Sequence, residues 1–316
     1  MFYFLLKAYA RLAIHLYCTK VVVNKKELLK TKGPVLFAAN HPNSFLDGVI
    51  LSTLLDETLY SLTRGDVFEN NLVGKILLWL KLLPIYRTSE GTQNLAYNYD
   101  TFSACHQVFK KKKIVLIFSE AGSVNEWKLR PLRKGTARLA FSSWQQGIDV
   151  KLIPLAFNYD TFKKFGKELH LNFGTEIKKE LFISDTDGKQ LNDVTQEVQK
   201  QLQSLIYEAK NEQEAKKYFY SKKNKLVTAF LLFPGLIGWF THAPLFYTCR
   251  VITELRFSKS DHYDSVLIGL LVLTYPIYIL LCAIIAGSYD VFAGLSIVVL
   301  LPLLLWTWLQ VKHLFQ

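Results

Sequence analysis

Hydrophobic and polar positions divide the chain of 316 residues into two parts. Residues 33–175 alternate short apolar runs with amphipathic stretches, whereas three long apolar stretches follow residue 225. Short apolar runs bounded by turn residues are typical of buried strands, and amphipathic stretches between them are typical of covering helices. The first part is therefore predicted to be an α/β domain around a mainly parallel central sheet with flanking helices.

The same pattern gives the predicted bounds of each element in this domain. The strands are expected at Val35–Ala39, Leu59–Thr63, Leu83–Tyr86, Ile114–Ser119, Leu152–Phe157 and Leu169–Phe173. The helices are expected near 45–55, 70–82, 93–112, 133–147 and 189–210.

The three later apolar stretches lie near 226–249, 265–287 and 289–311. The last two are long enough to span a bilayer as transmembrane helices. The first contains Pro234 and Pro244, so it is expected to be broken twice and to re-enter the membrane without crossing it. A third full span is the alternative.

The distribution of Lys and Arg predicts the topology of this membrane region. Basic residues precede and follow 226–249, whereas the turn Gly287–Asp290 carries none. Because cytoplasmic loops carry an excess of Lys and Arg, both polar ends of the hairpin 265–311 are expected on the cytoplasmic side. The active site is then expected on that face, in a bacterial inner membrane.

The N-terminal stretch and the segment between the α/β domain and the membrane region are the remaining predicted parts of the chain. Lys7, Arg11 and His15 form one polar stripe on an apolar helix, which favours a helix lying in the membrane interface over one packed in a core. The predicted regions are an amphipathic helix at 1–30, the α/β domain at 31–210, a basic linker at 211–225 and the membrane region at 226–316.

Composition indicates which partners the chain has. Half of its residues are hydrophobic, yet its net charge is +12. Because the apolar residues concentrate after residue 225, membrane lipids are the expected partner of this positive charge, and nucleic acid is not. The four cysteines have neither metal-site nor disulfide-framework spacing, so they are expected to be reduced.

One polar motif directly follows the apolar run Val35–Ala39, namely the stretch from Asn40 to Asp47 that contains His41. The end of a buried strand is a rigid place from which to present an imidazole. A carboxylate a few residues later can orient that ring and stabilise its protonated form. His41 and Asp47 are therefore predicted to form a general-base pair.

Three further markers follow this motif in order along the chain. They are Arg87 in Leu-Pro-Ile-Tyr-Arg, Glu120 in Ile-Phe-Ser-Glu and Pro154 in Leu-Ile-Pro-Leu. With His41 and Asp47, this order resembles the phospholipid/glycerol acyltransferase family. Members of that family acylate glycerol phosphate or lysophosphatidate, with acyl-CoA or acyl carrier protein as the donor.

The resemblance covers about residues 30–175. It is strongest to bacterial members, through Arg64–Phe68 and Asn125–Phe141. It implies that His41 is the catalytic base, that Asp47 holds it, and that acyl-CoA or acyl carrier protein is a co-substrate with no metal or other cofactor. The resemblance and the neighbouring positions also give the expected substrate-binding residues, which are Arg87 for the phosphate, Glu120 for a glycerol hydroxyl, and Asn40, Ser44, Gly122, Arg64 and Arg130.

Two departures from the family pattern affect these expectations. Five residues lie between His41 and Asp47, one more than in the family pattern. The third block has Ser119 in place of Pro and Ala121 in place of Gly, and it lacks the Arg found in many members. The basic residues that could compensate are Arg130, Arg133 and Lys134.

The function predicted from the sequence is a membrane-bound O-acyltransferase that acylates 1-acyl-glycerol-3-phosphate. Glycerol-3-phosphate or an aminolipid precursor is the alternative acceptor. A non-catalytic lipid-binding protein of the same fold is the rival outside the enzymes, motivated by the altered third block. A serine hydrolase would need a Gly-x-Ser-x-Gly turn, which the sequence does not contain.

Overall fold

The computed structural model of the protein describes residues 2–86, 97–182, 187–219 and 224–315. The strands within these ranges are β1 (Cys18–Val23), β2 (Val35–Ala39), β3 (Leu59–Arg64), β4 (Leu82–Ile85), β5 (Ile114–Phe118), β6 (Lys151–Tyr159) and β7 (Lys167–Phe173). The first helices are α1 (Phe2–Tyr17), α2 (Phe45–Leu54), α3 (Asn71–Trp79), α4 (Tyr97–Lys110), α5 (Gly135–Gln145), α6 (Asp187–Leu205) and α7 (Glu212–Lys216). Three long helices follow, α8 (Lys225–Phe257), α9 (Tyr263–Gly287) and α10 (Val291–Val311).

The described strands form one sheet in the order β1-β7-β6-β2-β5-β3-β4. Strand β2 pairs in parallel with β5 and β6, and β3 pairs in parallel with β4 and β5, whereas β7 runs antiparallel to β6. This confirms the predicted α/β class with a mainly parallel sheet. All five residues of β2 are buried, as its unbroken apolar run requires of a central strand that is covered on both faces.

Within the described residues the predicted strands and helices are confirmed with ends shifted by up to five residues, and one strand was missed. The start of the helix predicted near 93–112 lies outside the described residues. Strand β1 begins at Cys18, directly after α1 ends at Tyr17. No turn residue separates the two elements in the sequence, so the apolar pattern of the helix runs into that of the strand.

Contacts within the chain divide it into two compact units. We call the first, made of Met1–Ala8, Val22–Tyr159 and Leu169–Asn211, the α/β unit. We call the second, made of Tyr9–Val21, Asp160–Glu168 and Glu212–Gln316, the helical unit. The predicted domain boundaries and the interfacial position of α1 stay predictions.

The helical unit contains three described helices that are long and apolar enough to cross a membrane, namely α8, α9 and the helix from Val291 to Leu314. The prediction that residues 226–249 are broken twice is wrong, because α8 continues through Pro234 and Pro244. The Tyr278 hydroxyl of α9 donates a hydrogen bond to the Thr241 carbonyl of α8, and α8 also packs against α10. Neighbouring helices can support a helix that contains proline. Whether 226–249 crosses or re-enters a membrane stays a prediction.

A buried ion pair anchors the start of α9 within the helical unit. The Lys167 ammonium and the Tyr17 hydroxyl both donate to the Asp264 carboxylate, and all three side chains are buried. Lys167 also donates to the Phe162 carbonyl at 2.8 Å. The carboxylate and the ammonium are thus both satisfied by partners from separate segments of the chain.

Asp160, in the same unit, gives stability a predicted dependence on pH. Burial raises the pKa of its carboxyl to about 6, although the Glu168 N–H and Lys167 oppose the rise. An unfolded Asp ionises near about 3.9. Between these two pH values the folded protein binds a proton that the unfolded chain has released, so this group's contribution to stability falls as pH rises through the window.

Asp160→Asn is therefore expected to raise the thermal midpoint above pH 6, with a difference that shrinks towards pH 4. The amide oxygen of Asn can still accept the Glu168 N–H, which Asp160 accepts at 2.9 Å. Thermal unfolding of both proteins at a series of pH values measures the effect. A difference that does not change with pH would contradict this explanation.

Candidate active site

The register of the sheet brings two loops together at one edge. Ala39, the last residue of β2, pairs with Phe118, the last residue of β5. The residues that follow these two strands therefore leave the sheet side by side. They are the loop 40–44, which carries His41, and the loop 119–125, which carries Glu120.

His41 and Asp47 form the predicted pair. The His41 Nδ1 atom lies 2.9 Å from Asp47 Oδ2, so the additional residue between them does not prevent direct contact. The imidazole stacks on Phe118, with ring centroids 3.6 Å apart and planes at 14°. The His41 side chain is 15% exposed and that of Asp47 is 0% exposed. A partly accessible imidazole is thus held between an aromatic ring and a buried carboxylate.

The partners of Asp47 determine the state of the imidazole. Besides His41, the carboxylate accepts the Asn43 N–H at 2.9 Å and the Tyr159 hydroxyl at 2.7 Å. Donors therefore reach both oxygens of this buried carboxylate. An ionised Asp47 accepts the proton on Nδ1, which leaves the Nε2 lone pair of a neutral His41 able to accept another proton.

Glu120 ties the His41 loop to the segment that follows β5. Its Oε2 accepts the backbone N–H of His41 at 2.7 Å, and its Oε1 accepts the backbone N–H of Arg130 at 2.7 Å. Burial raises the pKa of the Glu120 carboxyl, while these two N–H donors act against the rise. In the structure this side chain therefore fixes backbone, and its predicted contact with an acceptor hydroxyl stays a prediction.

Further hydrogen bonds join the same two loops along their length. They run from Ser44 N to Ser123 Oγ at 2.7 Å, from Val124 N to His41 O at 3.3 Å, and from Asn125 Nδ2 to Pro42 O at 2.7 Å. The altered third block thus encloses the His41 loop despite its changed sequence.

Two residues in these loops adopt backbone angles that favour glycine. Ser44, just before α2, has a φ of 52°, and it lies within the stretch that holds the additional residue. Ala121, where the family pattern has Gly, has a φ of 53°. Such angles at a non-glycine residue cost roughly 1–3 kcal/mol, and the hydrogen bonds between the two loops hold both residues in place.

The remaining predicted substrate-binding residues have partners within the protein or lie outside the described ranges. Asn40 makes two hydrogen bonds to the backbone of Phe157, and Arg64 pairs with Asp66. Gly122 accepts a hydrogen bond from the Arg130 guanidinium at 3.1 Å. Arg87 lies outside the described residues. Substrate contacts by these residues stay predictions.

Sequence reasoning missed Tyr159 as part of this site. Its hydroxyl reaches Asp47 from the end of β6, 112 positions along the chain. The Trp127 indole N–H donates to the Tyr159 carbonyl at 2.7 Å and so fixes this strand end from the other loop. The one available signal was an aromatic residue with a polar tip at the end of an apolar run.

Part of the chain is similar to known acyltransferases. Comparison with curated proteins gives no match. The chain is similar to the crystal structure of the 1-acyl-sn-glycerophosphate (LPA) acyltransferase PlsC from Thermotoga maritima, with 14% identity and a TM-score of 0.44. That match covers 63% of this chain and 79% of the other. Residues 20–158, which include His41, Asp47 and Glu120, match the family model described as Acyltransferase. The region that carries His41, Asp47 and Glu120 is thus similar to the family described as Acyltransferase.

Proposed function

We propose that this protein is a membrane-bound enzyme that transfers a fatty acyl chain from acyl-CoA or acyl carrier protein to 1-acyl-glycerol-3-phosphate, with His41 as general base. The observation that carries the proposal is the hydrogen bond of 2.9 Å between His41 and a fully buried Asp47. This pair resembles the family's base and its orienting carboxylate. An acyltransferase that uses a base of this kind needs no covalent intermediate on the enzyme, because the thiolate of the donor is a good leaving group.

In the proposed reaction, His41 Nε2 takes the proton of the acceptor hydroxyl while its oxygen attacks the thioester carbonyl carbon. A C–O bond forms, the carbonyl electrons move onto oxygen, and their return breaks the C–S bond. The departing thiolate takes the proton from the imidazolium, so His41 is neutral again at the end. Asp47 keeps the ring in one orientation throughout and stabilises its positive charge while it exists.

Arg130 is the described cation that we propose to hold the acceptor phosphate. Its backbone N–H shares the Glu120 carboxylate with that of His41, so both residues are fixed by the same group. A guanidinium can bind a phosphate through two parallel hydrogen bonds. Arg64 pairs with Asp66 in the structure, and Arg87 remains a candidate from the sequence.

Attachment to a membrane completes the proposal. Three described helices are long and apolar enough to cross a bilayer, and the net charge of +12 favours anionic lipid surfaces. We place the enzyme in a bacterial inner membrane with its active site on the cytoplasmic face. This location would give the site direct access to a lipid acceptor and to a soluble thioester donor.

A panel of acceptors tests the proposed substrate. Membranes containing the enzyme and radiolabelled acyl-CoA would be offered 1-acyl-glycerol-3-phosphate, glycerol-3-phosphate, an aminolipid precursor and monoacylglycerol. We expect product from the first at a rate at least tenfold above the others, because only it combines a phosphate with an acyl chain. Faster acylation of any other acceptor would overturn the assignment. Parallel assays with acyl carrier protein as donor distinguish the two carriers.

The two hydrogen bonds that Glu120 accepts from the backbone of His41 and Arg130, here called the Glu120 clamp, give a further prediction. Glu120→Gln exchanges one acceptor oxygen for an NH2 group, so the N–H of either His41 or Arg130 loses its partner. An unsatisfied buried N–H costs about 1–3 kcal/mol, and displacement of the His41 loop is expected to lower the acylation rate by about 10²-fold. Activity and thermal midpoint measure both effects. Glu126→Gln is the matched control, since Glu126 pairs at the surface with Lys128; equal results for the two variants would exclude a clamp.

A further inference from the structure

We propose that the helical unit binds a diacyl phospholipid with a negatively charged headgroup in a cavity of its own. The cavity has a volume of about 1200 Å³. Its walls come from α1, the loop 163–165, α8, α9 and α10, and every lining residue belongs to the helical unit. His41 and its partners belong to the α/β unit, so this inference goes beyond the proposed reaction.

The size and composition of the cavity fit a lipid. Small-molecule pockets usually measure roughly 300–1000 Å³, so this cavity exceeds the need of a compact metabolite. Its lining is mainly aliphatic and aromatic, as in Leu271, Ile279 and Leu280 of α9. Such a surface favours hydrocarbon over water.

Positive charge gathers at one end of the cavity. The basic lining residues are Lys163, Lys164, Arg250 and Lys312. Lys163 donates to the carbonyl of Ser258, just after α8, at 2.9 Å. Its ammonium also lies 5.8 Å from the ring centroid of Tyr263, the first residue of α9. Lys312 donates to the carbonyl of Phe165, in the loop that also holds Lys163.

Three carboxylates reduce this charge without cancelling it. Glu212 pairs with Lys164 at 2.6 Å, and Glu254 pairs with Arg250 at 2.8 Å. Asp160 is a third carboxylate near this end, since it interacts with Lys312, and Lys216 is a fifth cation, since it also pairs with Glu212. Five cations near three carboxylates leave a net positive end, which complements an anionic headgroup better than a zwitterionic one.

The distance between the charged end and the apolar end matches an acyl chain. Tyr263 and Leu280 both line the cavity, and they are 17 positions apart on α9. At ~1.5 Å per residue this separation is about 25 Å. The chains of one leaflet extend about 15 Å, half of a hydrocarbon core of ~30 Å, which leaves room for the headgroup. The volume accommodates two such chains, as diacyl phospholipids carry.

Two tryptophans that line the cavity provide a direct probe. Trp239 and Trp308 have ring centroids 6.4 Å apart, and bromine on a bound acyl chain would quench their fluorescence. The full-length protein would be placed in phosphatidylcholine vesicles that contain a small fraction of brominated lipid. We expect brominated phosphatidylglycerol to quench at about a tenfold lower fraction than brominated phosphatidylcholine, since each basic residue near a membrane contributes roughly 1 kcal/mol towards an anionic lipid.

Two double variants test whether the preference for phosphatidylglycerol arises from basic residues that line the cavity. Lys163→Gln with Arg250→Gln is expected to remove the preference for phosphatidylglycerol. Arg256→Gln with Lys259→Gln makes the same change of charge at the same end of α8, in residues that do not line the cavity, and is expected to keep it. Replacing Trp239 and Trp308 with Phe should abolish the selective quenching.

Equal quenching of the wild type by both lipids would overturn the proposal, as would equal loss of preference in the two double variants. Displacement of brominated phosphatidylglycerol by lysophosphatidate at equal concentration would also overturn it, in favour of a site for a single-chain lipid. His41→Ala is expected to leave the quenching unchanged. Failure of lipid binding is therefore distinguishable from failure of the proposed acyl transfer.

Discussion

His41→Ala is expected to lower the rate of acyl transfer by about 10²–10⁴-fold, the contribution of a positioned general base. The imidazole is the group at this site whose free Nε2 can take a proton from the acceptor hydroxyl at neutral pH. After the substitution, Asp47 still accepts hydrogen bonds from Asn43 and Tyr159, so the buried carboxylate keeps two donors. Steady-state acylation of the preferred acceptor by purified wild type and variant measures the loss.

The fold of the variant must be intact for this result to report on chemistry. Loss of one hydrogen bond to a charged group costs roughly 1.5–3 kcal/mol, so the thermal midpoint should fall by only a few degrees. His106→Ala is the matched control, because His106 is also buried and hydrogen-bonded, to Ser142 at 3.1 Å and to Gln146 at 2.9 Å. It should lose comparable stability while keeping its activity.

Asp47→Asn refines the test. An Asn side chain can present its NH2 group to Nδ1 and so favour the tautomer whose proton lies on Nε2, where no base remains. The rate should then fall although the imidazole is present. A His41→Ala variant that folds and still acylates within threefold of the wild type would remove His41 from the mechanism and leave the similarity to the family model unaffected.

Elements of the fold that are defined by neighbouring residues in the sequence were predictable, and elements that depend on distant parts of the chain were not. Strand β2 occupies the predicted Val35–Ala39, because an apolar run bounded by Pro34 and Asn40 has one simple interpretation. Strand β1 was missed because no polar or turn residue separates it from α1. The predicted breaks in α8 did not occur, because the cost of proline in a helix depends on the helices packed against it, here α9 and α10, which a local pattern does not reveal.

In the candidate active site, too, contacts between residues close in sequence were predictable and contacts between distant segments were not. The pairing of His41 with Asp47 was predictable, since six positions separate them at the start of a helix. The third partner, Tyr159, approaches from a distant strand, and no spacing rule links it to the motif. Glu120 was identified as a functional position, yet its two backbone partners emerge only once β2 and β5 lie side by side.

Lys167→Met is expected to give the largest loss of stability, about 3–5 kcal/mol, the usual cost of leaving a buried charge without its partner. Lys167 is 0% exposed and Asp264 is 1% exposed. Without the ammonium, the Asp264 carboxylate keeps the Tyr17 hydroxyl as a described donor but has no compensating positive charge from Lys167. Thermal unfolding of the detergent-solubilised protein at a fixed scan rate measures the shift in midpoint.

Lys20→Met is the matched control for removal of a lysine. Its ammonium lies 3.9 Å from Glu168, and its side chain is 43% exposed, so water screens the pair. Exposed pairs contribute about 0–1 kcal/mol, and the midpoint of this variant should stay near that of the wild type.

The double variant Lys167→Met with Asp264→Leu separates two explanations of the loss. If the cost comes from an uncompensated carboxylate, removing that carboxylate should recover most of the stability, because buried ion pairs are often no more stabilising than apolar residues of similar volume. If Lys167 stabilises mainly by its hydrogen bond to the Phe162 carbonyl, the double variant should be as unstable as Lys167→Met alone. A Lys167→Met protein with the same midpoint as Lys20→Met would contradict both, since it would mean that the ion pair is open to water.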